Sequence, residues 1–365
     1  MTIYFLQGLS QYNALNIFSD ELEKGFKKNG YKTEKIDLLK NTLTNISEKD
    51  VIITFNHIGM ADNLLKIINE KGIKVISLFV DHPYYHQERL KIKIKNISIG
   101  FVCKSHLESI ELLNCKIDCD YFFFPHGGIK NILSIPNTTE WNKRKNNLLF
   151  IGSLHSSNFK EINKMPESLP KKILTRIENL YIEKNIPFDE ALKTAISELT
   201  INLNNKQVEL IYNSAASKLF AKKRYLARID TIKTLSKNNK IDIYGPKTWA
   251  EFIIKNKLNN VTYCGEASLD KTSKIMQNYK FVINDINFFS HGSHERNLNI
   301  ICAGSIPITY RNEYTDFLFE KSLPEINEFD KINIKASYDI INKLFKIAEK
   351  HTWEIKSKTL IERLI

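Results

Sequence analysis

Along the first 130 residues, short β-rich runs alternate with longer stretches in which apolar positions recur every three to four residues. The runs cover 3–6, 31–36, 51–55, 74–79, 97–102 and 120–123, and their length and β-branched content predict strands. The helical spacing between them predicts helices over 16–28, 61–71 and 106–113. Strand, helix, strand in regular succession implies parallel pairing through crossover helices, hence a doubly wound α/β sheet. Such a sheet binds ligands beyond the carboxyl ends of its strands. The residues to weigh therefore follow the runs: Gln7 and Gly8; Asn56, His57, Ile58 and Gly59; Asp81, His82 and Pro83; Pro125, His126, Gly127 and Gly128.

The stretch 130–147 is polar, contains Pro136, Asn137, Thr138 and Thr139, and reads as a linker. The α/β pattern restarts with a buried run that ends in Gly152 and Ser153. A helical stretch from about 159 to 236 interrupts it, with apolar stripes over 173–182 and 219–235. Strands are then predicted at 241–244, 261–263, 281–286 and 305–309, and helices at 248–256, 270–277 and 295–303. The tail, 336–364, reads as two helices with Trp353 between them. The expected fold is α/β, with two Rossmann-like doubly wound domains facing a cleft. Their expected extents are 1–145 and 146–335, the second carrying the insertion 159–236, with helices over 336–365 packing back across both.

Composition fits this picture. With 365 residues, 42% hydrophobic and 11% aromatic, the chain has enough apolar area for two cores. The net charge of +12 suggests an anionic partner. Basic residues are interspersed with acidic ones, and no block of five Lys or Arg occurs, so most of the excess reads as solvated surface. Nucleic acid is accordingly not an expected partner. The five cysteines, Cys103, Cys115, Cys119, Cys264 and Cys302, form no CxxC and suit a reducing compartment. The start has no basic segment followed by a long apolar run, and no stretch approaches the roughly 18 apolar residues of a membrane span. A cytoplasmic location without a transmembrane segment is expected.

The more specific chemistry lies in the second half. Residues 242–249 read Asp-Ile-Tyr-Gly-Pro-Lys-Thr-Trp: a strand, a turn at Gly245 and a helix start. Glycine lets backbone approach a ligand closely, and free N–H groups at a helix start favour an anion. An ordinary strand–glycine–helix turn is the plain alternative. Residues 290–309 place His294, Glu295 and Arg296 at a helix start, Asn299 on the face of Arg296, and Gly304 as the C-terminal cap. A cation and an amide on one face suit a pyrophosphate and a ribose; the alternative is a surface ion pair between Arg296 and Glu295. Arg228, in Lys-Lys-Arg-Tyr-Leu-Ala-Arg (222–228), is a further cation that equally fits a solvated helix face.

At this segment the chain resembles the CgeB-like glycosyltransferases of the GT-B fold. The likeness rests on Arg296-x-x-Asn299-x-x-x-x-Gly304 before a strand, on Gly152 and Ser153 after Phe150-Ile151, and on Tyr244-Gly245 with Trp249. Tyr263-Cys264-Gly265 and Phe79-Val80-Asp81-His82-Pro83-Tyr84 extend it. Many GT-B enzymes carry Glu where this chain has Asn299; an amide still hydrogen-bonds ribose hydroxyls, without charge. The resemblance implies transfer of a hexosyl or N-acetylhexosaminyl group from a nucleoside-diphosphate sugar, a UDP-sugar first, to a protein or surface-glycan acceptor. It implies no required metal, and Asp118-Cys119-Asp120 matches a DxD by letter only. The donor would be held by Gly152, Ser153, Arg228, Tyr244, Gly245, Lys247, His294, Glu295, Arg296 and Asn299. An inverting reaction needs a base, with Asp81 first and His82 or His126 as alternatives. Against these stand a turn cap before Pro83 for Asp81 and structural roles for the histidines. Two other readings remain open at this point: a GT-B-like epimerase and a basic nucleic-acid-binding protein. The oligomeric state is left open.

Overall fold

The computed structural model describes the chain except for residues 11–12, 38–45, 131, 133, 155–158, 160, 201, 286–287, 332–336 and 365. It divides into two compact units. The first comprises Met1–Ile129, Asn202–Asn213 and His351–Ile365. Its six strands are β1 (Thr2–Gln7), β2 (Lys32–Asp37), β3 (Val51–Phe55), β4 (Lys74–Phe79), β5 (Ile97–Phe101) and β6 (Asp120–Phe123). They pair in parallel in the order β2-β1-β3-β4-β5-β6. The chain leaves β1 toward β2 and then reverses to β3 on the other side, so the topological switch point lies between β1 and β3.

The second unit comprises Lys130–Ile201 and Ser214–Lys350. Its strands are β7 (Lys145–Ile151), β8 (Ile241–Tyr244), β9 (Val261–Tyr263), β10 (Tyr279–Asn284) and β11 (Ile306–Thr309), all parallel, in the order β11-β10-β7-β8-β9. Here the switch point falls between β7 and β10. Side chains alternate across the sheet as the strand period requires. Leu148, Phe150, Phe281 and Ile283 join one buried cluster, while Leu149 and Val282 join another with Ile300 and Ala303. Both faces are covered, which is why these strands read as continuous apolar runs.

Three expectations are corrected. The polar stretch 130–147 is not only a linker: it holds the helix Thr138–Lys143. Asn137 and Glu140 form a reciprocal capping box there, and Trp141, 1% exposed, donates to Ser337 Oγ at 3.2 Å. Trp353 does not separate the two tail helices but begins the second, Trp353–Glu362, after Ser337–Ala348. The strand predicted over 281–286 runs instead from Tyr279 to Asn284, which frees Asp285 from the sheet. Ile286 and Ala336, expected at the ends of elements, lie outside the described residues.

Trp353 shows how the last helix belongs to the first unit. Its ring is fully buried, stacks on Phe18 at 4.8 Å, and meets Phe55, His126 and Phe124 at 5.6, 5.9 and 6.2 Å. Gly127 lets the chain pass it: a Cβ there would lie 2.6 Å from the Trp353 backbone nitrogen.

Candidate functional site

In the second unit the loops after β7, β8 and β10 meet at the switch point. Gly152 N–H donates to the Tyr244 carbonyl at 3.0 Å, and its own carbonyl accepts from Trp249 Nε1 at 2.8 Å. A Cβ on Gly245 would overlap that Gly152 carbonyl, so the close approach requires glycine at 245. The Tyr263 hydroxyl donates to the Gly245 carbonyl at 3.0 Å and fixes the turn. Lys247 is exposed at the head of the helix Thr248–Lys255.

Beside this turn lies a buried charge cluster. Arg228 donates from Nε and Nη2 to the two carboxylate oxygens of Asp285, the latter at 3.2 Å, and from Nη1 to the Ser153 carbonyl. The two side chains are 8% and 1% exposed. Arg228 is therefore not on a solvated face. Arg296 Nη1 approaches Asp285 Oδ1 at 3.9 Å and makes no hydrogen bond. Burial pulls the Arg296 pKa down, opposed by the Asp285 charge and aided by that of Arg228. An arginine nonetheless stays protonated at neutral pH.

The helix Glu295–Cys302 starts here. His294 caps it, its Nδ1 lying 3.2 Å from the Arg296 N–H and 2.7 Å from Glu295 Oε2. Glu295 Oε2 thus lies beside the capping His294 rather than against Arg296, which faces Asp285. The helix start is held to the sheet by Asn297 Oδ1, which accepts from Asn284 Nδ2 at 2.7 Å. Asn297 in turn donates to Ser293 Oγ at 3.2 Å. Asn299 is half-buried one turn further along. Gly304 follows the helix with φ +75°, and a Cβ there would also press on Ile132 at 2.8 Å. Asp285 and Asn284 were not singled out from the sequence. Both follow an apolar run, but the strand expected over 281–286 covers them, so the sequence does not set them apart.

In the first unit, Asn56 and His57 follow β3 with φ of +50° and +53°, a left-handed backbone uncommon for residues with side chains. Asn56 Oδ1 accepts from Val80 N–H at 3.0 Å, and its Nδ2 donates to Asp81 Oδ2 at 2.9 Å. His86 Nε2 lies 3.3 Å from the same carboxylate oxygen. Arg89 Nη1 donates to the Asn56 carbonyl at 3.0 Å, and His57 Nδ1 contacts the Arg89 carbonyl at 2.8 Å. The Asp81 side chain is 56% exposed, so the carboxylate is held yet reachable. Burial works against its ionisation, but the His86 hydrogen bond, the charges of His86 and His126, and the Asn56 amide outweigh it and lower its pKa.

The turn-capping role before Pro83 falls to His82, not to Asp81. His82 Nδ1 accepts from Tyr84 N–H at 3.2 Å, and its ring lies edge-on to His106 at 5.1 Å. Burial lowers the pKa of His82 to about 3 and that of His57 to about 4. His126 is 4% exposed, packed edge-on to Trp353 and Phe18. The structure thus brings Asp81 together with Asn56 and His86, and places His82 and His126 in packed surroundings.

No protein-family model matches the sequence, and no curated protein matches it. Solved structures do. A sucrose-phosphate synthase from Thermosynechococcus elongatus aligns with a TM-score of 0.55 at 8% identity, over 99% of this chain and 98% of that one. An alpha-glucosyltransferase in complex with UDP aligns with a TM-score of 0.57 at 10% identity, over 100% and 98%. The fold is GT-B. At these identities the likeness speaks to the fold alone. Within the GT-B fold both units are doubly wound, and ligands are expected at the switch points already described, after β1 and β3 and after β7 and β10. Among the described residues, no helix is long and apolar enough to cross a membrane.

Proposed function

We propose that the chain is a CgeB-like glycosyltransferase. It moves a hexosyl or N-acetylhexosaminyl group from a nucleoside-diphosphate sugar, a UDP-sugar first, to a hydroxyl of a protein or glycan acceptor in the cytoplasm, without a required metal. The observation that carries this reading is the buried Arg228–Asp285 pair with the partly exposed Arg296 beside it at the β7/β10 switch point, next to the start of the helix Glu295–Cys302. A cation with an uncommitted N–H, next to a helix start, suits the two phosphates of such a donor.

In the inverting form, the acceptor oxygen attacks the anomeric carbon and the bond from that carbon to the diphosphate breaks, its electron pair leaving with the phosphate oxygen. Arg296, at the positive end of the helix Glu295–Cys302, and Lys247 meet the charge that develops there. Asn299 hydrogen-bonds a ribose hydroxyl, and the Gly152–Ser153 and Tyr244–Gly245 turns let backbone close on the nucleotide. Asp81 takes the acceptor proton. It is ionised at neutral pH, and His86 and Asn56 fix its orientation. His82 and His126 then shape the surroundings of that base.

The test is a hydrolysis screen of UDP-, GDP-, TDP- and CMP-sugars, with and without EDTA. Turnover of at least one donor, unchanged by EDTA, is expected. No turnover and no stabilisation by any of the nucleotides would overturn the reading, and turnover abolished by EDTA would overturn its metal-free form.

A further inference from the structure

Two arginines share the buried Asp285, but on different terms. Arg228 commits three nitrogens: Nε and Nη2 to the two carboxylate oxygens and Nη1 to the Ser153 carbonyl. A side-on fork of this kind fixes both planes. Arg296 stands 3.9 Å from Asp285 Oδ1, too far for a hydrogen bond but close enough for charge attraction in a site shielded from water. Its Nη1 is buried and keeps its hydrogen-bonding capacity unspent.

Buried carboxylates are costly unless paired, and buried N–H donors are rarely left idle without a reason. Arg228 pairs Asp285 fully. The second guanidinium is therefore not needed to neutralise the carboxylate. What Asp285 does for Arg296 is hold a cation, against the repulsion of Arg228, at a place where its donors stay available. The Ser153 carbonyl extends the lock to the loop after β7, so both sides of the switch point are tied to one carboxylate.

We propose that Asp285 is a positioning residue, clamped by Arg228, that holds the Arg296 guanidinium in place for an anionic ligand without consuming its donors. This rests on the donor-binding reading above and assigns the two arginines different roles: Arg228 is the clamp, Arg296 the arm that meets the phosphates.

A double-mutant cycle on nucleotide affinity tests it, read by isothermal titration with UDP, or with whichever nucleoside diphosphate stabilises the wild-type chain. Asp285→Asn is expected to weaken binding at least tenfold, and Arg296→Ala by a similar or larger factor. The deciding quantity is their coupling: in the Asp285→Asn background, Arg296→Ala should cost less than threefold more. A merely structural Asp285 would give losses that multiply. If Asp285→Asn does not fold, Arg228→Lys keeps the charge but removes the fork, and its cycle with Arg296→Ala should show the same coupling. Multiplying losses in the cycle that folds, or wild-type affinity in the folded Asp285→Asn or Arg228→Lys chain, overturn the proposal. No binding of any nucleotide by the wild-type chain overturns the donor-binding reading instead.

Discussion

Asn56 Nδ2 donates to Asp81 Oδ2 at 2.9 Å, so the residue that follows β3 in a left-handed backbone aims the carboxylate that follows β4. Adjacent central strands thereby deliver one held, half-exposed acid to the carboxyl end of the first sheet. Asp81→Asn should leave nucleotide affinity within twofold of wild type while slowing sugar transfer by 100-fold or more, an order of magnitude drawn from general-base catalysis at about 10²–10⁴. Steady-state transfer assays beside titration calorimetry read both. Unimpaired transfer would make Asp81 structural or the reaction retaining.

The lowered Asp81 pKa also fixes the pH behaviour expected of this carboxylate in the proposed role of base. Its ionised form persists down to below the ordinary aspartate value of 3.8 and is lost only as pH falls through the folded value. The acid limb of kcat/KM should therefore show no inflection from this carboxylate between pH 5 and 7, at pH values where the chain is folded (roughly the span over which unperturbed histidine titrates). An inflection there that disappears in Asp81→Asn would contradict the assignment.

Two histidines with lowered pKa values make the first unit acid-sensitive. His57 is held near 4 and His82 near 3, both lowered by burial from an ordinary 6.5. A folded value below the unfolded one means that unfolding takes up protons once pH drops under 6.5. The contribution to stability is full above that pH and falls as pH moves toward 4 for His57 and 3 for His82. Melting temperature should fall across this window, and a folded His57→Gln variant should fall less steeply. Parallel profiles for the two proteins would refute it.

Trp353→Ala removes a fully buried indole stacked on Phe18 and edged by Phe55 and His126. Losses of about 3–5 kcal/mol are typical of such truncations. Urea unfolding followed by far-UV circular dichroism should show a loss of that size. A change below about 1 kcal/mol, the level of an ordinary surface substitution, would contradict this packing.

Much of this molecule is legible in its sequence, and the reason is physical. Strands buried on both faces are mostly apolar, so Val51–Phe55 and Lys74–Phe79 announce themselves as runs broken only by the small Thr54 and Ser77, and the polar residues after them mark the loops. The same logic reached Gly152, Asp81 and Arg296. It did not reach Trp141 or Trp353, because a single indole in a polar stretch shows its role only through distant partners, Ser337 in one case and Phe18 in the other. Nor did it reach Asp285. A carboxylate two residues past the last apolar strand position has meaning only once Arg228, 57 residues earlier, folds onto it. Periodicity reports local burial, whereas pairing of buried charges is a long-range property.

In the proposed function Arg296 meets the diphosphate of a nucleotide-sugar donor. Titration calorimetry of UDP against the wild-type chain and Arg296→Ala, at fixed salt, tests it most directly. The wild type should bind, and the folded variant should lose about 10- to 100-fold in affinity, as removal of a charge-assisted hydrogen bond of about 1.5–3 kcal/mol predicts. Equal affinity in the two folded proteins, or no binding of UDP or another nucleoside diphosphate by the wild type, would contradict it.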